Sequence, residues 1–401
     1  ARLIVRTTYL RSRIAHEQIR AIIAFTARHP GHFMKETMTP NKLTRREFAT
    51  GTVATVGAIA ATAVQGANAA ESTCAIAEPF SVPQGEKQFA YHNVLNNDAA
   101  RIDMPVGVIN GAMDGPTLIV TGGLFATEYS GVEAASRMYR DFDPDKLSGR
   151  LIIIPVITLD AFRFRTPMFK LTSGISPMDG KSLNSVFPGD PNGSPTEVLA
   201  DYLFQRLILK SDYHIDLRGG DLAESHVIHS IHPNNASVDV NRISREMAQV
   251  CGFEYFQSRD VDPNSLIYET SQRGIPSIIT QCGLGYKVQP EEDFINSHIL
   301  AVTNNMKYLG MIEGDPEMPE RQREFTVDFD QLRASTCGVF QGIADQGDMV
   351  TEGQLIGKVT GLDGSILEEL YSPIDGVVHE LLVRRVVFQG DLLYNLVQFL
   401  D

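Results

Sequence analysis

Cysteine is scarce in this 401-residue chain, and Cys74, Cys251, Cys282 and Cys337 stand too far apart for any C-x-x-C spacing. That excludes a zinc ribbon and a fold stapled by a dense disulfide framework, and leaves a single optional disulfide open. Basic charge is equally thin over most of the sequence. Residues 1–70 hold 10 Lys and Arg against 3 Asp and Glu, whereas the remaining 331 residues hold 25 against 46, a net of −21. A body this acidic repels nucleic acid and anionic membrane surfaces, so neither is expected as a partner. Nor is stable membrane insertion expected, because the Ala-, Gly- and Thr-rich stretch within 44–70 is too weakly apolar for an anchor. What remains, with 43% hydrophobic residues and 33 glycines, can bury a large core, and the length points to two folded units plus a removable segment.

The removable segment is the basic head. "TRREFATGTVATVGAIAATAVQGANAA" (44–70) sets Arg45 and Arg46 before a mildly apolar stretch that closes on Ala67-Asn68-Ala69. It resembles a bacterial twin-arginine export signal, which implies a periplasmic or secreted protein whose mature chain starts near Ala70. Residues 1–69 are thus read as upstream extension plus signal, with Met34 or Met38 as a more natural start. Residues 70–89 are read as a mature N-terminal segment. Cys74 lacks the apolar and small neighbours of a lipoprotein site.

From 90 to 312 apolar runs alternate with helical patterns. The runs "PTLIV" (116–120), "RLIIIPVI" (150–157), "DYHIDL" (212–217) and "PSIIT" (276–280) are short and unbroken, as strands covered on both faces should be. Between them "SGVEAASRMYRDF", "SPTEVLADYLFQRLILK" and "EEDFINSHILAVTNNMKYLG" repeat apolar residues at three and four. This predicts an α/β domain with helices on both sides of the sheet and a ligand site beyond the carboxyl ends of strands. The residues just after each run then matter most: Glu128, Asn184, Arg218 and Gln281.

An acidic linker with two prolines (313–321) precedes short strands with regular turns over 322–401, the pattern of a small β-barrel-sandwich like the lipoyl and biotinyl modules. Such carriers need a lysine at the hairpin tip. Here the tip reads "GLDGSILEELYSP", and Lys358 falls inside a strand, so a structural or gating role is expected.

Four features in order, "SPMDGKSLNSVFPGDPNGSPTE" (176–197), "DLRGGDL" (216–222), "RGIPSIITQCGLG" (273–285) and the terminal strands, make residues 88–401 resemble the succinylglutamate desuccinylase/aspartoacylase family of the zinc-carboxypeptidase clan. The resemblance implies a zinc-carboxypeptidase-like mixed sheet flanked by helices and hydrolysis of N-acylated amino acids. It also implies zinc held by a Gly-x-His-Gly-x-Glu turn and a His after Asp-Leu, a Glu that activates water, and an Asn-Arg pair with an upstream Arg that grip the substrate carboxylate.

At these positions the sequence departs from the family. The turn reads Gly123-Leu124-Phe125-Ala126-Thr127-Glu128, so Phe125 replaces the first ligand and Glu128 alone is left of the pair. Arg218 follows Asp-Leu, Gln281 stands for the water-activating acid, and Ser185 for the Arg after Asn184. A phenyl ring donates no ligand, a guanidinium cannot deprotonate to become one, and an amide cannot take a proton from water. Zinc is therefore not expected here, and no other cofactor is. Arg218 is expected to pair with Glu128, which would otherwise be an uncompensated charge.

The histidines of "HVIHSIH" (226–232) could offer a substitute metal site, but the residue types favour a strand, on which His226 and His232 share a face and His229 points away. Arg165, rather than Arg163, is the choice for the upstream carboxylate-binding Arg; Asn184 either binds a ligand or caps its loop. Cys282 has no histidine arranged to activate it and reads as a buried thiol. Two functions follow: a pseudo-enzyme that binds a small carboxylate or acylated amino acid through Arg218, Arg165, Asn184 and Glu128, or a working amidohydrolase or esterase with an altered metal site.

Overall fold

The computed structural model describes residues 79–98, 100–164, 175–220, 224–284, 292–326, 329–383 and 385–400. The export-signal region and Arg165 lie outside the described residues. The chain opens with β1 (Lys87–Asn96), β2 (Arg101–Asn110), β3 (Met113–Gly122), helix α1 (Tyr129–Asp141), β4 (Ser148–Ile154) and α2 (Leu159–Phe164). It continues through α3 (Pro195–Arg206), β5 (Tyr213–Arg218), β6 (Glu224–Pro233), α4 (Val238–Gln249), β7 (Tyr255–Arg259), α5 (Leu266–Gln272), β8 (Ser277–Leu284) and α6 (Glu292–Tyr308). Only strands follow: β9 (Arg323–Phe325), β10 (Asp330–Arg333), β11 (Gly338–Gly342), β12 (Met349–Val350), β13 (Leu355–Thr360), β14 (Ile366–Tyr371), β15 (Gly376–Leu382), β16 (Val386–Val387) and β17 (Leu392–Val397).

The central sheet is mixed. Its strand order is β1-β2-β4-β3-β5-β8-β6-β15-β17-β10, with β12 added on β15, β7 on β6 and β9 on β7. β4, β3, β5 and β8 run parallel, and the flanking β1, β2 and β6 join antiparallel. Strand alternation explains the unbroken apolar runs. Leu118, Val120, Leu151 and Ile153 face one core with residues of α1, α4 and α6, while Ile119, Ile152 and Ile154 face a second with residues of α3 and α5. Ser194 and Glu197 form a capping box around Pro195, which fixes where α3 begins. None of the described helices is long and apolar enough to cross a membrane.

Described structure is already present before residue 90. A short 3-10 turn at Pro79–Ser81 and the whole of β1 precede or straddle it, held by Asn110 Nδ2 donating to Val82 O (2.8 Å). At the other end the segment after α6 is tied down rather than loose: Asn304 exchanges two hydrogen bonds with the Glu317 backbone, both 2.9 Å, and Lys307 Nζ lies 3.1 Å from Glu317.

The C-terminal strands do not stand apart from the α/β sheet. β14-β13-β11-β16 form a four-stranded sheet of their own, but β15 pairs with β6, and β9 with β7. The two sheets enclose a third core that includes Phe340, Val359, Leu370, Val378, Leu393 and Tyr394. Residues 72–401 make one compact unit. Lys358 lies on β13 and the tip between β13 and β14 is Gly361–Ser365, without lysine.

Candidate functional site

β3 ends in Gly122-Gly123, and the turn that follows delivers Phe125 and Glu128 to the carboxyl end of the sheet. Gly123 has φ +55°, a conformation that side chains resist, and its carbonyl accepts the Thr158 hydroxyl at 2.8 Å. Glu128 then occupies the N-cap of α1, yet its carboxylate makes no capping bond. It points instead to β5, where Arg218 Nε lies 3.3 Å from Glu128 Oε2, an ion pair without close hydrogen-bond alignment. The chain turns sharply after Arg218. A Cβ on Gly220 would come within 2.2 Å of Glu224 O and 2.4 Å of Gly283 O, so only glycine lets β5, β6 and β8 close together here.

The guanidinium has a second anionic partner, outside the family's zinc-ligand positions. Arg218 Nη1 donates to Asp216 Oδ2 at 3.1 Å, and Asp216 is 1% exposed. Thr121 Oγ1 donates its only proton to Asp216 Oδ1 (2.7 Å), so its 2.9 Å contact with His214 Nε2 is donated by the imidazole. A chain of hydrogen bonds therefore runs His214, Thr121, Asp216, Arg218. The signal was in the sequence: in "YHIDLR" the polar residues His214, Asp216 and Arg218 alternate with apolar ones, so all three lie on one face of a buried strand.

The electrostatics agree with the geometry. Burial works against a charged Arg218, but the adjoining Glu128 and Asp216 outweigh it and raise its pKa above the usual value. His214, fully enclosed, is pushed down to about 4 chiefly by desolvation, partly opposed by Asp216, and is neutral near pH 7. The Phe125 ring faces this charge, with Arg218 Cζ 4.1 Å from its centroid. Gln281 is the β8 neighbour of Arg218 in register, and its Nε2 donates to Gly219 O at 3.3 Å.

Phe125, Glu128, Arg218 and Gln281 thus converge on one locus, and Asn184, Arg163 and Ser185 do not join them. Asn184 Oδ1 accepts from Leu266 N (3.2 Å), tying its loop to the start of α5. Arg163 is exposed and reaches toward Asp103, 3.8 Å away. Ser185 is exposed and bonds Ser182 O. Cys282 is wholly buried, and desolvation lifts its thiol well above the usual value, which makes it unfit as a nucleophile.

The histidines required a correction. β6 is a strand, but its register against β8 shifts between His226 and His229. That irregularity breaks the alternation, so His226 and His229 both reach the His379 ring, at centroid distances of 6.0 and 4.5 Å. His232 bonds Pro233 O instead. A metal-capable group exists, but it is His226, His379 and Glu380. His379 and Glu380 could not be found from the histidine spacing because β15 brings them in from 150 residues downstream.

Where the sequence resemblance puts zinc, the donor set does not fit the ion. Zinc takes three protein ligands in a catalytic site. Here a charged guanidinium stands within ion-pair distance of the one remaining acid, Glu128, and a phenyl ring packs on it.

Comparison with known proteins gives consistent results. Residues 114–274 match the model of the succinylglutamate desuccinylase/aspartoacylase catalytic domain. The N-alpha-acetyl-L-2,4-diaminobutyric acid deacetylase of Halomonas elongata is 28% identical over 316 residues, covering 75% of this chain and 87% of that protein. Among solved structures, a succinylglutamate desuccinylase/aspartoacylase from Rhodobacter sphaeroides superposes with a TM-score of 0.70 at 23% identity, covering 80% of this chain and 98% of that one. The product-bound ectoine utilization protein EutE (DoeB) from Ruegeria pomeroyi gives 0.68 at 22%, covering 79% and 98%. At these identities the structures speak for the fold.

Proposed function

The chain belongs to the succinylglutamate desuccinylase/aspartoacylase family, and from that membership we propose that it is a non-hydrolysing relative of N-acyl-amino-acid deacylases. It binds a small acylated amino acid or similar carboxylate at the Arg218 centre and performs no zinc chemistry there. The observation behind this reading is the Arg218–Glu128 ion pair at 3.3 Å, which sets a fixed cation where the family holds its metal. A guanidinium is a planar fork of five donors and suits a ligand carboxylate, with the Phe125 face beside it. Gln281 in place of a carboxylate leaves no base for water. The C-terminal strands serve as a structural module beside this centre.

Calorimetry and NMR with N-acetyl- and N-succinyl-amino acids, N-acetyl-L-2,4-diaminobutyrate among them, test the reading together. Binding without amide cleavage is expected, weakened roughly ten- to hundredfold by Arg218→Lys, which keeps the charge and loses the fork. Cleavage by the wild-type chain, or binding indifferent to that substitution, would overturn it. Cleavage would support the second reading, a hydrolase with a displaced metal, which draws on the His226, His379 and Glu380 group.

We further propose export through the twin-arginine pathway, on the strength of Arg45-Arg46 and the Ala67-Asn68-Ala69 site. N-terminal sequencing of protein from the periplasm should start near Ala70; an intact Arg45-Arg46 pair there would contradict the proposal.

A further inference from the structure

We propose that His226, His379 and Glu380 form a binding site for one divalent first-row transition ion, with Zn²⁺ the best match, that clamps the C-terminal strands to the α/β sheet. One ligand atom from each residue lies within 4.8 Å of the other two. Ligands around tetrahedral zinc stand about 3.4 Å apart, given bonds near 2.1 Å, so side-chain rotation on the order of 1 Å would close the site. Two imidazoles and a carboxylate are donors for zinc and its neighbours rather than for calcium or magnesium.

Backbone irregularities aim these side chains. β15 pairs with β6 so that Glu380 lies opposite His226, and the register of β15 against β17 shifts between Val378 and Glu380. The extra residue lets His379 and Glu380, adjacent in sequence, both reach one site instead of facing opposite sides. The shift between His226 and His229 on β6 does the same from the other strand.

The hydrogen bonds fix the tautomers. His229 Nδ1 lies 2.9 Å from Val227 O, a pure acceptor, so that nitrogen carries the proton and His229 Nε2 is bare. His379 Nε2 lies 3.2 Å from it and must be the donor. His379 Nδ1 is left with a lone pair, buried, and without a hydrogen-bond partner among the described residues. His226 Nδ1 is likewise buried without a hydrogen-bond partner among the described residues, while its Nε2 faces Glu224 at 3.7 Å. A metal-ligating imidazole characteristically donates its other N–H to an acceptor that orients it, and His229 plays that part for His379. Asn395 Nδ2 donates to Glu380 Oε2 and holds the carboxylate.

The surroundings favour a cation and provide access to it. Glu224 lies 3.7 Å from His226 Nε2 and Glu380 stands opposite His226 on β15, so two carboxylates flank that ring. His379 sits against Phe325 and Phe329, at centroid distances of 5.5 and 4.8 Å, an apolar shell that keeps bulk water from the ligands. A cleft of about 400 Å³, lined in part by His226, Tyr255, Phe294 and Gln346, opens beside the site.

The experiment is zinc titration of the full chain after chelator treatment, followed by calorimetry and by the visible spectrum of the Co²⁺ form. The expected result is one equivalent per chain, a Co²⁺ spectrum of four-coordinate type, and a melting temperature raised by roughly 5 °C at saturating zinc. His379→Ala and Glu380→Gln should each weaken binding about a hundredfold, with folding checked by circular dichroism. Glu128→Gln removes a charge but no ligand and should weaken binding by less than about tenfold, which separates this site from the Arg218 centre. The proposal is overturned if the folded wild-type chain takes up less than roughly a tenth of an equivalent, if folded Glu380→Gln binds as wild type, or if Glu128→Gln alone abolishes uptake.

Discussion

Arg218→Ala is expected to destabilise the chain by about 3–5 kcal/mol, the usual cost of removing one partner from a buried ion pair. Two acids lose their counter-charge at once: Glu128, 3% exposed, and Asp216, 1% exposed, both held by the same guanidinium. By contrast Phe125→Ala removes a cation–π contact, worth roughly 0.5–2 kcal/mol. Urea unfolding of the two variants should therefore separate them clearly. Replacing Glu128 and Arg218 together, by Gln and Met, should restore part of the loss because no charge of that pair is then stranded. A loss below about 1 kcal/mol for Arg218→Ala would mean that solvent reaches the carboxylates and that the ion pair is a surface contact in its energetics.

The triple variant Phe125→His, Arg218→His, Gln281→Glu is expected to bind zinc at Glu128 and to cleave N-acyl amino acids. All three positions meet at one locus, with Arg218 against Glu128 and Phe125 and next to Gln281 on the adjoining strand. Each single change leaves either too few ligands or no base, so the effect should be strongly non-additive. Restoring the base alone contributes about two to four orders of magnitude in rate, and the Lewis acid adds several kcal/mol at the transition state. The measurement is zinc stoichiometry, expected to be one greater than in the wild type, with amide cleavage followed by NMR. A folded triple variant with wild-type stoichiometry and no cleavage would show that the neighbouring scaffold has lost more than these three side chains.

The Arg218 centre was legible in the sequence because its register is carried locally. The Gly-x-x-x-x-Glu and Asp-Leu-x-Gly-Gly frames set Glu128 and Arg218 without gaps, and the sheet does bring the two together. Strand alternation also marked both faces of β3 and β4 as buried, which the two cores confirm. Asp216 belongs to the same strand pattern, in which His214, Asp216 and Arg218 share one face. The His226, His379 and Glu380 group was not legible for a different reason. It depends on a pairing between β6 and β15 and on register shifts in both, none of which leaves a mark in local periodicity. The separate C-terminal domain expected from turn spacing merges into the large sheet for the same reason: edge pairing such as that of β9 on β7 is a long-range property.

The positive charge between Glu128 and Asp216 is covalently part of the chain. A bound ion is in exchange with its surroundings, so a site built on one changes with ion supply, with chelators and with the protonation of its ligands. A guanidinium has no dissociation equilibrium of that kind and stays charged across the whole ordinary pH range. The positive charge at the Arg218 centre is therefore set at synthesis.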